Sequence, residues 1–331
     1  MSYYRPLVRH GDARPEGAIH LAGSALWFTE VEILDRSAPP RIAPAGLLPE
    51  DIRLRLMSRR AAIAGLDMTQ PQIMGILNVT PDSFSDGGQH DELAAAQSAA
   101  VRMLADGASI IDVGGESTRP GADVVEEMAE IARTAPVIAA IREVSAAPIS
   151  IDTRKATVAM EALDAGASLI NDVSGFTFDA ALAPLAAQAG VPVCVMHAQG
   201  DPKTMQENPQ YDNVVLDVYD SLAAQVDQLE ATGVLREQIV VDPGIGFGKS
   251  QAHNLALLRN LSLFHGLGCP ILLGVSRKRF IGTIGKEPRA DRRMAGSIAV
   301  GLAGFAQGVQ MLRVHDVAET AQALRLWQAT R

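Results

Sequence analysis

From residue 73 onward, hydrophobic positions fall in short runs, and each run gives way to a polar or glycine-rich cluster. The runs cover 73–77, 110–113, 149–151, 169–170, 193–196, 239–241, 271–273 and 311–314. Short stretches of Val, Ile and Leu are the signature of parallel strands buried on both faces. Longer segments rich in alanine and leucine separate them, at 92–106, 124–143, 155–165, 180–189, 213–232, 254–263, 291–308 and 318–330. Glycines 107, 166, 190 and 233 follow four of these segments, where left-handed backbone closes a helix. Eight alternating strand and helix units predict an α/β fold, a (β/α)8 TIM barrel, with its chemistry at the carboxyl ends of the strands.

Residues 1–60 lack this rhythm and read as an N-terminal extension to a barrel of residues 61–331. Within it, 25–34 alternates loosely like a strand, and Pro39, Pro40 and Pro44 mark a loop. Pro49-Glu50-Asp51 opens a helix expected to end near Arg59-Arg60, with acids at its start and bases at its end, as the helix dipole favours. The extension's expected role is packing, against the barrel or a neighbouring subunit.

Composition narrows the class. The chain is 47% hydrophobic but only 4% aromatic, which predicts the aliphatic interior that barrels favour. A net charge of −9 excludes nucleic acid as the main partner, because phosphate backbones need a basic footprint. A small phosphorylated substrate needs only a local group of cations and stays open. Cys194 and Cys269 form no CxxC pair and read as buried core thiols. The first residues lack a signal peptide's apolar stretch, and 296–312 is broken by glycines and glutamines, so the reading is a soluble cytoplasmic protein with no membrane partner.

The polar clusters carry the candidate chemistry. The first, Asn78-Val79-Thr80-Pro81-Asp82-Ser83-Phe84-Ser85-Asp86, is longer than a structural turn needs, and Phe84 among serines and aspartates suits a lid. The second, Gly115-Glu116-Ser117-Thr118-Arg119-Pro120, sets Arg119 where it can reach an anion. Asp152, Asn171 and Asp242 each directly follow an apolar run and so should face the barrel mouth. They could ligate a metal, form an acid–base pair, or bind a heterocycle. A metal prefers more carboxylates or a histidine, whereas a purine-like ring with N–H donors matches two carboxylates and an amide. Cations follow the last two runs: Ser276-Arg277-Lys278-Arg279, then Arg313 and His315, which share one strand face. Barrels often bind phosphate there, so Arg119, Arg313 and His315 could hold a diphosphate, with Asn78 completing a Mg2+ site. Asp242-Pro243-Gly244-Ile245-Gly246-Phe247-Gly248-Lys249-Ser250 ends like a phosphate-binding P-loop, but Pro243 stands where that motif requires glycine. Its glycines are expected to let backbone approach a ligand over the mouth.

Taken in order, these motifs resemble those of the dihydropteroate synthase family from about residue 73 to the C-terminus. Gly114-Gly115-Glu116-Ser117-Thr118-Arg119-Pro120-Gly121, Ile170-Asn171-Asp172, Met196-His197, Asp242-Pro243-Gly244, Ser276-Arg277-Lys278 and Arg313-Val314-His315-Asp316 carry the likeness beside the first loop and Ile151-Asp152-Thr153. The resemblance implies a TIM barrel, a homodimer, and the joining of 7,8-dihydropterin-6-ylmethyl diphosphate to 4-aminobenzoate with release of diphosphate. It assigns Asp152, Asn171, Asp242, Lys278 and Met196 to the pterin, and Asn78, Arg119, Arg313 and His315 to the diphosphate. Asn78 would also ligate Mg2+. Phe84, Thr118, Arg119, Pro120, Ser276 and Lys278 would frame the aminobenzoate, and Asp86 would stabilise a cationic pterin methylene. Asp86, Asn78, Arg313 and His315 thus become the expected catalytic group. Arg154 and the Phe176-Thr177-Phe178 loop depart from the family's usual residues without replacing a motif position.

An alternative from another class is the pterin-binding module of a corrinoid-dependent methyltransferase. That module needs neither diphosphate cations nor an aminobenzoate loop, so Arg313, His315 and Thr118-Arg119-Pro120 favour the synthase. A non-catalytic paralogue would be expected to have lost motif residues, and none is lost.

Overall fold

The protein is described by a computed structural model that covers residues 2–79, 89–117, 124–200 and 205–330. The extension is a small β-rich unit. Strands β1 (Ser2–Pro6), β4 (Glu30–Asp35) and β5 (Arg41–Pro44) form an antiparallel sheet with β4 in the middle, and β2 (Ile19–His20) pairs with β3 (Trp27–Phe28). Helix α1 (Glu50–Met57) follows. The strand expected over 25–34 is thus two strands broken at Thr29, and Pro44 ends a strand that the prolines had marked as loop. Leu21, Phe28, Val31 and Leu56 make its own small core.

The extension docks by polar and ring contacts on the outside of the barrel. The Tyr3 hydroxyl donates to Asp220 at 2.8 Å, and its ring meets Tyr219 edge-on at 5.4 Å. Arg36 pairs with Asp217 and Asp220, each at 2.7 Å. Arg60, buried, donates to the carbonyls of Arg55 and Ser58 past the end of α1 and to that of His265 across the seam.

Eight parallel strands follow among the described residues: β6 (Gln72–Asn78), β7 (Ile110–Gly114), β8 (Ile149–Asp152), β9 (Leu169–Asp172), β10 (Val193–Met196), β11 (Ile239–Asp242), β12 (Leu272–Leu273) and β13 (Met311–Val314). Their order, β11-β10-β9-β8-β7-β6-β13-β12, closes through a parallel bridge between Val241 and Ile271. This is the predicted (β/α)8 barrel. Helices α2 (Gln89–Asp106), α3 (Glu127–Val144), α4 (Ala156–Asp164), α5 (Leu182–Ala189), α6 (Val214–Ala231), α7 (Gln251–Arg259), α8 (Arg279–Ile284), α9 (Met294–Ala306) and α10 (Val317–Ala329) surround it. The glycines at 107, 166, 190 and 233 all take positive φ at the helix ends, as expected.

Two helices differ from the sequence pattern. The segment expected over 254–263 starts earlier, at Gln251, because Ser250 caps it by accepting from His253 N at 3.2 Å. It stops at Arg259, and Leu261–Leu267 continues as a 3-10 helix. The six-residue α8 has too little periodicity to be read from sequence.

Strand alternation divides the barrel interior into two levels. Met74, Ile110, Leu169, Cys194, Val240, Leu272 and Met311 form one apolar cluster, stopped at its lower end by Ile63 and Met68 from the segment before β6. Two residues further along the same strand faces stand Asp112, Asn171, Met196, Asp242 and Arg313. The outward residues, such as Ile111, Ile151, Ile170 and Val241, pack against the helices in the main core. Cys194 and Cys269 are buried free thiols, as expected. Among the described residues no helix is long and apolar enough to cross a membrane.

Met68 is 1% exposed in the lower plug, so Met68→Ala removes contacts that nothing nearby can replace. The expected loss of stability is about 2–5 kcal/mol by urea unfolding. An unchanged unfolding midpoint would show that the plug is not part of the core.

Candidate active site

The carboxyl ends of the strands bring together Asp152 from β8, Asn171 from β9, Asp242 from β11 and Arg313 from β13, and the first three are almost fully buried. Arg313 holds the group together. Its Nε donates to Asp112 Oδ2 at 2.6 Å and its Nη2 to Asp152 Oδ2 at 2.7 Å. Asp112, on β7, is fully buried and also accepts from Asn171 Nδ2 at 3.4 Å. Burial pushes the Asp152 carboxyl up, and Asp112 adds to this against the pull of Arg313. Burial likewise raises Asp242, against Lys278 and the bond from Gly244 N to its Oδ1 at 2.7 Å. For Arg313, burial opposes the charged form, but Asp112 and Asp152 outweigh it and hold the guanidinium firmly protonated.

The cations expected after the seventh and eighth runs close the other side. Lys278 sits at the start of α8, donates to the Ile245 carbonyl and lies 4.7 Å from the centre of the Phe247 ring. Burial lowers it to about 8, with Asp242 pulling the other way. Arg277, between Ser276 and Lys278, adopts φ 60 and pairs with Asp316 through two nitrogens. That turn leaves the Ser276 hydroxyl accepting from His315 N at 3.1 Å and 2.9 Å from His315 Nδ1. Asn78 ends β6 at the rim, and Met196 is buried at the end of β10. Phe84, Asp86, Thr118, Arg119 and Pro120 lie outside the described residues.

The glycines of the segment after β11 have a different job from the expected one. A Cβ on Gly244 would lie 1.9 Å from the His197 carbonyl oxygen, and one on Gly248 would lie 2.3 Å from that of Gln199. At Gly244 and Gly248 the close approach is to the neighbouring chain after β10. Lys249 binds the two segments. Its ammonium reaches His197 Nδ1 at 2.8 Å and the carbonyls of Gly244 and Phe247 at 2.9 Å. Burial, then Lys249, lowers His197 to about 3, which keeps the ring neutral. A cavity of about 400 Å3 opens beside His197, lined also by Gln199, Gln210, Tyr211, Asp212 and Asp217, and it is lateral to the mouth.

Glu116 organises the second loop's flanks. It pairs with Arg154 and with Lys155 at 2.6 Å, and accepts from Val125 N at 3.0 Å. Lys155 reaches on to Glu130 and to the Val125 carbonyl. Arg154 also stacks 4.2 Å from the centre of the Phe178 ring, so two of the sequence's unusual residues partner each other. Asp112, Lys249 and this buried cluster were not singled out by sequence. The signal for Asp112 was present: an acid inside the apolar run 110–113, in phase with Ile110.

The described residues hold no group of three or more His, Cys, Asp or Glu that could bind a metal ion. Asn78 Oδ1 faces the space left by Gly114, where a Cβ would lie 3.8 Å from it. One amide oxygen at a strand end suits Mg2+ carried on substrate phosphates and water, the usual manner of that ion, and not an all-protein cage.

Comparison with known proteins adds names to this geometry. The family described as pterin binding enzyme matches residues 74–315. The chain is 48% identical over 265 residues to the dihydropteroate synthase of Haemophilus influenzae, covering 80% of this chain and 96% of that protein. The Xanthomonas albilineans dihydropteroate synthase with 4-aminobenzoic acid superposes with a TM-score of 0.76 at 43% identity, covering 82% of this chain and 97% of that one. The same organism's enzyme in complex with 7,8-dihydropteroate gives 0.72 at 39% identity, with coverage of 80% and 95%.

Removing the shared cation tests the charge balance directly. Arg313→Met leaves two buried carboxyls unpaired, and breaking such a pair costs about 3–5 kcal/mol. Without the guanidinium the folded pKa of Asp152, already raised above the ordinary 3.8, rises further, and stability from such a group is lost as pH rises through the folded value. The deficit against the parent protein, read by urea unfolding, is therefore expected to be larger at pH 8 than at pH 5. An equal deficit at both pH values would show that Arg313 acts through packing alone.

Proposed function

The chain belongs to the pterin-binding enzymes and, among them, to the dihydropteroate synthases, and from that premise we propose how the barrel mouth divides the work. The reaction joins 7,8-dihydropterin-6-ylmethyl diphosphate to 4-aminobenzoate, giving 7,8-dihydropteroate and diphosphate. The observation that carries the assignment of roles is the buried set Asp152, Asn171 and Asp242, facing Lys278 and Arg313 on one mouth. A dihydropterin edge offers amino and ring N–H donors beside a carbonyl. Two carboxylates and an amide oxygen suit the donors, and the Lys278 ammonium suits the carbonyl. Met196 would supply apolar contact with the ring face.

Arg313, His315 and Asn78 would take the diphosphate, together with Arg119. Among the described residues Arg313 Nη1 makes no hydrogen bond, which supports its donating to a ligand while Nε and Nη2 stay on the carboxylates. Asn78 would hold Mg2+, whose charge would offset that of the diphosphate as it departs. The C–O bond breaks and its electron pair leaves with the diphosphate. The methylene's positive charge spreads into the dihydropterin, with Asp86 stabilising it, and the amine lone pair of 4-aminobenzoate then attacks. A proton leaves the amine to solvent. No nucleophilic side chain takes part. Phe84, Thr118, Arg119, Pro120, Ser276 and Lys278 would frame the aminobenzoate.

We take the working unit to be a homodimer. Support comes from α9, which is apolar or small along its length, and from Ile284 on α8 and Leu326 on α10, 53% and 63% exposed.

With dihydropterin diphosphate and Mg2+ supplied, diphosphate release is expected to be fast when 4-aminobenzoate is present and slow when it is not. No release with both substrates present would sink the reading. Asp242→Asn is expected to lose about 1–3 kcal/mol of pterin affinity, because its amide puts a donor against a donor. Calorimetry showing undiminished affinity would remove Asp242 from the ring's partners.

A further inference from the structure

Asp112 is fully buried on β7, level with Asn171 and Arg313, and touches both of these groups, which the reading above places against the ligand. Ile110, two residues earlier on the same face, belongs to the apolar plug, and at Gly114, two residues later, a Cβ would lie 3.5 Å from the Asp152 side chain. The carboxylate meets Arg313 Nε from one side and Asn171 Nδ2 from the other.

An asparagine amide has two ends of similar shape and opposite chemistry. Which end faces a ligand is set by what the other end touches. A carboxylate in an ion pair only accepts, so the amide nitrogen must point at Asp112. A turn of the amide by half a revolution would set Asn171 Oδ1 against Asp112 oxygens, lone pair against lone pair, in a site without exposure to relieve it. Asn171 Oδ1 is thereby directed away from Asp112. We infer that Asp112 is a positioning residue that makes Asn171 present an acceptor to the ring, and so sets the enzyme's preference for ligands with a ring N–H at that edge. The inference rests on the pterin reading of Asn171. The same carboxylate fixes the plane of the Arg313 guanidinium, which leaves Nη1 as the group turned elsewhere.

Asp112 then acts as the fourth member of an acceptor pattern without touching the ligand. Asp152 and Asp242 can offer only acceptors while ionised. Asn171 alone among the three could offer either, and its choice is made by Asp112.

Asp112→Asn is the test, because it keeps the shape and an oxygen for Arg313 Nε while supplying an N–H that Asn171 Oδ1 can accept. The amide of Asn171 is then free to turn its donor toward the ligand. The probes are 6-hydroxymethyl-7,8-dihydropterin, which carries hydrogen on N8, and its oxidised counterpart, whose N8 is a bare acceptor. Calorimetry on the full-length parent and variant gives the ratio of their affinities. Neutron diffraction of the parent with the dihydropterin distinguishes the amide nitrogen from its oxygen directly, and does not depend on the variant folding. The expected results are Asn171 Nδ2 on Asp112 in the parent, and a preference for the dihydropterin that falls about tenfold in the variant, the size of one hydrogen bond. Asn171 Nδ2 found on the ligand, or equal losses for both probes in a folded variant, would overturn the inference and leave Asp112 as a counter-ion. A parent protein that binds neither probe would instead defeat the pterin reading, a different failure.

Discussion

Taking a carboxylate out of water costs several kcal/mol unless a cation and hydrogen bonds go with it. This barrel encloses Asp112 and Asp152 close together and gives them a single guanidinium, which meets them with different nitrogens. The rest of the mouth depends on that arrangement. It fixes Arg313 between β7 and β8 although the residue comes from β13, and among the described residues it leaves Asp152 Oδ1 without a hydrogen bond. The carboxyls that burial raises, Asp152 and Asp242, are also the ones at the strand ends. A ring arriving with N–H groups would supply what those carboxyls lack, since a hydrogen bond to the charged form favours that form. Ligand binding and the ionisation of the mouth are then one process.

Much of this was legible in the chain. The strands of the barrel were visible because a parallel strand buried on two faces must be apolar throughout, and Val193–Met196 and Met311–Val314 match their runs to the residue. Asp152, Asn171 and Asp242 stood out by the same contrast, since each is polar at the end of such a run, and Arg313 stood out by sharing a strand face with His315. Asp112 escaped because Val113 and Gly114 follow it and hide the polar residue inside the run. Lys249 escaped because its motif invited comparison with a phosphate loop, whereas its ammonium is spent on carbonyls and one imidazole. The Arg154 and Phe178 contact joins residues 24 apart, and no local pattern predicts such a meeting. The extension was least readable. Its strands are short and its sheet is anchored by contacts to residues more than 200 positions away.

The segment from β10 to α7 shows how a loop can be made rigid without regular structure. Gly244 and Gly248 bring two backbones to distances that no side chain would allow, and Lys249 fills the gap with hydrogen bonds. Asp242 and the carbonyl of Ile245, which receives Lys278, both belong to this segment. Groups at the mouth carried on a braced segment keep their geometry before a ligand arrives, which lowers the ordering cost of binding.

The docking of the extension has a consequence for the order in which the molecule can be made. Tyr3, Pro6, Arg36 and Arg60 attach to Asp220, Ser262, Asp217 and His265. The ribosome delivers the extension first and its anchoring surface some 200 residues later, about 10–40 s at roughly 5–20 residues per second. During that interval the extension has only its own core of Leu21, Phe28, Val31 and Leu56, and a sheet whose edge strand β5 has no partner on its outer side. The extension, synthesised before the surface that anchors it, is thus among the last parts to be secured, and Arg36 and Arg60 hold no barrel partner until the helix α6 and the turn after α7 have emerged.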